Sequence, residues 1–179
     1  MNYCQRFARD MINAKKVALV AMCYLAPSLR YDGKWPDDCQ HLDFVNFFWD
    51  HKIPMVQVRY CPESEYMHLC AERLPATKNM YNNKKFRKIC GDVVRKDILP
   101  EVLPLKGQLF YVGVQKSPSC ACTITTVGPD MAHSEIVAGR GIFVEELVKI
   151  LNENNRHITL VDMRFKHRDF SALEKALGL

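Results

Sequence analysis

Four short apolar runs along the chain have the length and composition of buried β-strands. They cover residues 16–23, 53–60, 108–115 and 157–163. The first, KVALVAMC, is a continuous run of small and β-branched apolar residues, which is typical of a central strand covered on both faces, as in a parallel sheet. A β-branched run at residues 122–126 indicates a further short strand or arm.

Helical periodicity occupies much of the chain between these strands. It covers residues 41–50, 83–103, 143–153 and 169–176. Strands and helices that alternate in this way predict an α/β fold, with a mostly parallel sheet and helices on both faces in a Rossmann-like arrangement. We expect one domain over residues 1–179, opened by a helical extension over residues 1–15. In the second helix, Pro100 and Pro104 predict a break.

The helix at residues 41–50 has apolar positions over most of its circumference. One set lies at helical spacing and aromatic residues fill the adjoining stripe, so we expect all of them in the core. These residues are Leu42, Val45 and Trp49, followed by Phe44, Phe47 and Phe48.

The segment at residues 61–83 has no clean period and is rich in proline, asparagine and charged residues. Such composition is typical of loops. We therefore expect a long loop excursion there, at the carboxyl edge of the sheet, where long loops often carry function.

Composition narrows the class of protein. The chain has 179 residues, of which 48 % are hydrophobic, enough for one domain to fold without cross-links. No charged-then-apolar leader opens it and no uncharged apolar run approaches the roughly 18 residues that span a bilayer, so we expect a cytoplasmic protein with no membrane partner. In a reducing compartment, eight cysteines are metal ligands, catalytic thiols or core residues rather than disulfides. The absence of a CxxC motif disfavours a dithiol redox protein.

The formal net charge is +5, and the excess of positive charge lies in the first half of the chain. It is concentrated at residues 73–90, where Tyr81 and Phe86 stand among the basic residues. Such a segment can bind phosphates or a nucleic-acid backbone, and a solvated basic helix face is the alternative.

Three cysteines stand where the predicted strands end. The first strand ends at Cys23, the second is followed by Cys61, and Cys120 comes five residues after the third. The carboxyl ends of parallel strands lie along one edge of a sheet, so the three thiols can converge there. Converging thiolates bind a metal ion or a cluster, although these spacings match no local zinc-finger or ferredoxin pattern. We expect the remaining thiols to be ordinary, with Cys70 closest behind a candidate ligand; they are Cys4, Cys39, Cys70, Cys90 and Cys122.

Polar residues accompany each of these thiols. Asp32 lies in the turn sequence RYDG after Cys23, Glu63 follows Cys61 by two residues, and Ser117 precedes Cys120. Carboxylates and hydroxyls beside metal-binding thiols supply proton transfer and hydrogen bonding. Their presence indicates catalysis.

The sequences around these residues resemble motifs of a known family. The run AMCYLAPSLRYDG at residues 21–33 resembles its opening motif, CPE at residues 61–63 its second, and GVQKSPSCA at residues 113–121 its third. The later run GRGIFVEELVKIL resembles its glycine-led helix. The chain therefore resembles the thiouracil desulfidase family, long carried as a domain of unknown function.

The resemblance implies a cofactor and a reaction. Family members hold a [4Fe-4S] cluster by three cysteines and leave one iron without a protein ligand, which implies Cys23, Cys61 and Cys120 as the ligands. An open iron is a soft Lewis acid suited to a sulfur atom of the substrate. The implied activity is non-redox hydrolytic removal of sulfur from a thiolated pyrimidine. Within it, Glu63 is the expected base and Ser117 the residue that steers substrate or proton; Asp32 is expected to bind substrate and is the alternative carboxylate.

The chain also departs from the family pattern. The glycine pair and Pro-Arg turn that follow CPE in the family are missing, and Ala121 stands in place of a glycine. These changes concern the pocket wall, so the substrate stays open between a free base, a nucleoside, a nucleotide and tRNA, as does the oligomeric state. The alternative function is an iron–sulfur or zinc-holding sensor or nucleic-acid-binding module without turnover.

Overall fold

The computed structural model describes residues 9–25, 40–59, 61–70, 77–164 and 169–179. Among them are six strands: β1 (Lys16–Val20), β2 (Met55–Gln57), β3 (Gln108–Val114), β4 (Ile124–Val127), β5 (Glu135–Ala138) and β6 (Ile158–Met163). Four of these form a sheet in the order β2-β1-β3-β6, and β4 pairs with β5.

Every pairing in the four-stranded sheet is parallel. Leu19 of β1 lies opposite Val56 of β2 on one side and opposite Tyr111 of β3 on the other. The chain thus leaves β1 toward β2 and returns on its other side as β3, which makes this part of the sheet a topological switch point. The expected α/β fold with a mostly parallel sheet is confirmed.

Helices flank the sheet. They are a short stretch at residues 9–13 (α1), α2 (Gln40–Asp50), α3 (Pro62–Cys70), α4 (Lys78–Tyr81), α5 (Lys84–Val93), α6 (Leu99–Val102), α7 (Ile142–Glu153) and α8 (Ser171–Leu177). The helices α5 and α7 pack on each other, and α8 packs on β6. Of the expected extension, residues 9–13 are helical and residues 1–8 lie outside the described part. None of the helices in the described ranges has the length and apolarity needed to cross a bilayer.

The helix around Pro100 does not break as expected. Residues Val94–Ile98 form a π-helical turn, in which the N–H of Leu99 donates to the carbonyl of Val94, and the chain then continues as α6 with Pro100 in its first turn. Proline has no N–H for the usual bond to the fourth residue before it. The wider π-helical turn places Pro100 at the start of α6, where the absence of a backbone N–H is tolerated because the first N–H groups of a helix have no partner within it.

The expectation for α2 is partly wrong. Phe44, Phe47 and Phe48 are buried, but Trp49 is 80 % exposed and Leu42 52 % exposed. The ring of Phe44 stacks on Tyr24 at 4.6 Å between centroids, and Phe47 stacks on Phe170 at 4.7 Å. These partners fix the phenylalanine face toward the core, so the stripe that contains Trp49 faces outward.

The segment expected to be a long loop contains two helices, α3 and α4, with residues 71–76 between them outside the described part. The polar residues that indicate a loop are helix caps here. Thr77 Oγ1 accepts from Met80 N (3.4 Å), and Asn83 Oδ1 accepts from Phe86 N (2.9 Å). Capping by a side-chain oxygen satisfies N–H groups that the helix itself leaves free.

Candidate metal centre

The three thiols expected to converge follow three neighbouring strands. Cys23 lies in the 3-10 turn after β1, Cys61 directly precedes α3 after β2, and Cys120 lies in the loop after β3. Because these strands are adjacent and parallel, the thiols lie at the same edge of the sheet. Burial raises the pKa of Cys120, and the negative charges of Cys61, Glu63 and Cys23 raise it further. The three thiols therefore lie close enough for the charges of Cys61 and Cys23 to affect Cys120.

The turn that carries Cys23 is anchored by its neighbour Tyr24. The Tyr24 hydroxyl lies 2.9 Å from the carbonyl oxygen of Met163 and 3.1 Å from that of Gly113, and donates its proton between them. These carbonyls belong to β6 and β3. Tyr24 thus ties the turn to the carboxyl ends of β3 and β6.

Cys61 caps the N-terminus of α3. Its carbonyl accepts from Glu65 N at 3.0 Å, and Pro62 occupies the first helical position, for which its fixed φ is suited. The backbone N–H groups of Glu63 and Ser64 and the Ser64 side chain hydrogen-bond to the thiol and lower its pKa, but burial and the charge of Glu63 outweigh them and raise it overall. A thiolate at this position would be stabilised by the helix N-terminus.

Cys120 is held by the loop around it. Ser117 Oγ accepts from the N–H of Cys120 at 2.9 Å and from that of Ser119 at 3.2 Å. The N–H of Ile142, at the start of α7, donates to Pro118 O at 3.0 Å. The Ser117 hydroxyl therefore holds the loop together internally, and a backbone hydrogen bond connects the loop to α7.

Two glycines allow this loop to approach so closely. A Cβ on Gly113 would lie 2.2 Å from the carbonyl oxygen of Cys120, and one on Gly141 would lie 2.1 Å from that of Ser119. Both neighbours are backbone atoms, which cannot swing away as a flexible side chain can. Any side chain at either position would displace Cys120.

Asp162 is a further residue of the site that the sequence analysis did not identify. Its carboxylate, in β6, accepts from Cys122 N (2.6 Å) and from both the N–H (2.7 Å) and hydroxyl (2.6 Å) of Thr123. Charge-assisted hydrogen bonds of this kind are the stronger ones in proteins. The only sequence feature that indicates this role is an acidic residue within an otherwise apolar strand, ITLVDM.

Glu63 and Ser117, the two expected catalytic residues, are in contact. Glu63 is 7 % exposed, and Ser117 Oγ donates to its Oε1 at 3.1 Å. They come from α3 and from the loop after β3, so the fold joins residues that are 54 positions apart. Buried carboxylates with a fixed donor are common among groups that move protons in catalysis.

The other residues named from the sequence are Asp32 and the five remaining cysteines. Asp32, Cys4 and Cys39 lie outside the described residues, as does the side chain of Cys70. Cys90 and Cys122 are buried thiols. Cys122 Sγ lies 4.0 Å from the backbone oxygen of Tyr111.

The basic stretch is partly neutralised within the protein. Lys78 and Arg87 form ion pairs with Glu145, Arg87 also pairs with Glu146 at 2.7 Å, and Lys88 pairs with Asp92 at 2.7 Å. These contacts connect α4 and α5 to α7 or stay within α5. They favour a structural role for these three of the basic residues at 73–90.

The three thiols after β1, β2 and β3 are ligands of the kind that an iron–sulfur cluster uses. Within the described ranges, no group of three or more His, Cys, Asp or Glu side chains is placed so that it could hold one ion. Cysteines that each bind a different iron of a [4Fe-4S] cluster are necessarily farther apart than ligands that share one ion. The hydroxyl of Tyr111 is also buried at this site, and no residue in the described part of the chain hydrogen-bonds to it. Thiols whose charges repel each other, with an unsatisfied donor beside them, form an environment that a cationic, sulfur-binding group would stabilise.

Comparison with solved structures gives the same architecture. The structure of the [4Fe-4S]-dependent thiouracil desulfidase TudS superposes with a TM-score of 0.50, covering 82 % of this chain and 91 % of that one. The chain has the fold of TudS. The two sequences are 17 % identical, so the likeness to TudS concerns the fold.

Comparisons of sequence are less informative. An uncharacterised protein of Methanocaldococcus jannaschii is 21 % identical over 168 residues, which cover 93 % of this chain and 97 % of that protein. No model of a known protein family matches the chain.

Proposed function

We propose that the protein is a [4Fe-4S]-dependent desulfidase that removes sulfur from a thiolated pyrimidine by hydrolysis. The observation that carries the proposal is the placement of three thiols after three adjacent parallel strands, next to a buried carboxylate with a fixed hydroxyl partner. The sequence motifs around these residues and the fold shared with TudS support it.

In this proposal Cys23, Cys61 and Cys120 hold the cluster, and one iron has no protein ligand. When bound, the cluster supplies a soft Lewis acid that polarises the carbon–sulfur bond of the substrate. The overall reaction consumes one water and exchanges a thiocarbonyl for a carbonyl, with hydrogen sulfide as the second product. No net electron transfer is needed.

Glu63 is the proposed general base. Its carboxylate is buried beside the thiols, where it can take a proton from water as that water adds to the ring carbon. Ser117 orients it. The Ser117 hydroxyl has one proton and two lone pairs, and contacts with Glu63, Ser119 and Cys120 use all of them. We therefore assign Ser117 to positioning the carboxylate, and Asp32 to binding substrate.

The surroundings favour a small substrate over tRNA. Lys78 and Arg87, two of the cations that suggest a phosphate-binding surface, are engaged by Glu145 and Glu146. A carboxylate-paired cation attracts a phosphate backbone less than a free one does. A thiolated base or nucleoside is the first substrate to test.

The proposal is tested by anaerobic reconstitution with iron and sulfide, followed by assay of sulfide release from thiouracil, thiouridine and thiolated tRNA. We expect iron and sulfide in the ratio of a [4Fe-4S] cluster, and turnover of at least one of these compounds. The Cys120→Ala variant should lose both the cluster and the turnover. The Cys90→Ala variant, which removes an ordinary buried thiol, should keep the cluster and the turnover.

Three results would contradict the proposal. They are a wild-type protein that binds no iron, an iron-loaded protein that releases no sulfide from any of the three substrates, and a Cys120→Ala variant with full cluster and full activity. The second result alone would favour a sensor that holds a cluster without turnover.

A further inference from the structure

The side chain of Tyr111 is buried at the candidate metal centre and has no role in the proposed reaction. It belongs to β3 and has no exposed surface, and its hydroxyl makes no hydrogen bond within the described residues. An unsatisfied buried hydroxyl costs free energy, because it has lost its hydrogen bonds to water without gaining a partner in the protein. Buried polar atoms of this kind therefore call for a physical explanation.

The ring of Tyr111 is fixed in place. It packs against the ring of Phe143 at 5.9 Å between centroids. Tyr111 and Gly113 are two residues apart in β3 and so face the same side of the sheet. A Cβ on Gly113 would lie 3.1 Å from the Tyr111 ring and 2.2 Å from the Cys120 carbonyl oxygen. The Tyr111 ring and the Cys120 loop therefore both lie next to the space where a side chain on Gly113 would be.

The acceptor available to the Tyr111 hydroxyl is the sulfur of Cys120. Burial raises the pKa of Tyr111, and the charges of the nearby thiols of Cys120, Cys122 and Cys23 raise it further. Cys122 lies instead toward the backbone oxygen of Tyr111. A neutral thiol is a weak acceptor, whereas a thiolate is a strong one.

We infer that Tyr111 donates a hydrogen bond to the Cys120 sulfur once that thiol binds iron, and that this bond tunes the cluster. The inference rests on the proposed function. Coordination to a metal deprotonates a thiol outright, which converts Cys120 into the acceptor that the phenol lacks. Hydrogen bonds to the sulfurs of a cluster set its electron density and its reduction potential. In a buried site with a low dielectric constant the effect is stronger than in water.

The test compares Tyr111→Phe with the wild type and with Tyr24→Phe, a matched loss of one buried hydroxyl. In iron-free protein, Tyr24→Phe should lower the unfolding temperature because that hydroxyl donates to backbone carbonyls. Tyr111→Phe should leave the unfolding temperature unchanged or raise it. In iron-loaded protein, Tyr111→Phe should retain the wild-type iron content but show a more negative reduction potential, because a bond that stabilises the reduced cluster is lost.

The outcomes separate the inference from the proposed function. Wild-type protein that binds no iron would overturn both. An iron-loaded Tyr111→Phe variant with an unchanged potential would overturn the inference alone. So would iron-free Tyr111→Phe protein that is destabilised as much as Tyr24→Phe, since the phenol would then be paired already without a cluster.

Discussion

At the scale of single residues, Glu63 combines burial with a hydroxyl partner whose own bonds are all used. The carboxylate is therefore held in one orientation, with Ser117 bonded at 3.1 Å on one side and the thiol of Cys61 two residues before it in the chain. A base that is fixed before substrate arrives needs little reorganisation during the reaction. This property makes Glu63, the proposed base, the residue whose replacement is expected to separate the proposed chemistry from cluster binding.

We predict that Glu63→Gln lowers kcat by about 10²- to 10⁴-fold, the usual contribution of a general base, while the iron content stays at the wild-type level. The amide has the shape of the carboxylate and can still accept from Ser117. The measurements are sulfide release under saturating substrate and iron content. Glu65→Gln, at an exposed position of the same helix turn, is the control and should retain activity. A Glu63→Gln variant with wild-type kcat would assign the base to another group.

At the scale of elements, the loop between β3 and β4 depends on the neighbouring strand β6. Asp162 in β6 receives hydrogen bonds from Cys122 and Thr123, just after Cys120. Backbone carbonyls of the loop also accept from N–H groups at the start of α7, Ile142 N to Pro118 O and Val144 N to Ser119 O. A thiol carried by an irregular segment is thereby held by two regular elements.

Replacing Asp162 by Asn should weaken this attachment. The amide oxygen can still accept, but the NH₂ group faces N–H donors, so we expect the free energy of unfolding to fall by about 1–3 kcal/mol. Iron retention during anaerobic dialysis should also fall, because Cys120 is no longer held in register. Glu101→Gln, which breaks only the exposed ion pair to Arg59, should change neither quantity appreciably. Equal iron retention in both variants would show that Asp162 has no influence on the site.

Some features of the secondary structure can be predicted from the local sequence, and others cannot. The central strands β1 and β3 are recognisable because a strand covered on both faces is almost entirely apolar, and this requirement is local. The face of α2 is not local, since the partners Tyr24 and Phe170 decide it from distant parts of the chain. The caps Thr77 and Asn83 look like loop residues because the same side chains favour both positions. Asp162 is invisible for a related reason, as its donors lie about forty positions away.

At the scale of the whole molecule, a group of ion pairs joins the helices next to the sheet. Glu145 of α7 pairs with Lys78 of α4 and Arg87 of α5, and Glu146 pairs with Arg87 as well. The sequence shows these cations only as a basic stretch, because their carboxylate partners lie 58 to 67 positions further along the chain. The charge distribution of the folded molecule is therefore more even than that of the linear sequence.

These pairs predict how stability depends on pH. Burial alone would raise the pKa of Glu145, but hydrogen bonds and charges from Lys78 and Arg87 outweigh it and lower the pKa. A lowered pKa in the folded state contributes stability above the ordinary glutamate pKa of about 4.3, and this contribution is lost as the pH falls through the folded-state value. Glu145→Gln should therefore cost on the order of 1 kcal/mol at neutral pH and progressively less in acid.

Urea unfolding of both proteins at neutral and acidic pH measures this difference. Glu153→Gln, an exposed change at the end of the same helix, is the control and should show little difference at either pH. A Glu145→Gln deficit that stays constant from neutral to acidic pH would contradict an origin in charge.

The strand order has a consequence for the biosynthesis of the protein. Strand β1 is made early, yet one of its neighbours, β3, begins at Gln108, which pairs with Lys16. Pairing over such a sequence separation closes a long loop and is slow compared with local folding. A nascent chain that ends before β3 contains at most two of the three proposed ligands. Delivery of the proposed cluster must therefore wait until Cys120, two thirds of the way along the polypeptide, has been made, so Cys23 and Cys61 precede their third proposed partner by a long stretch of synthesis.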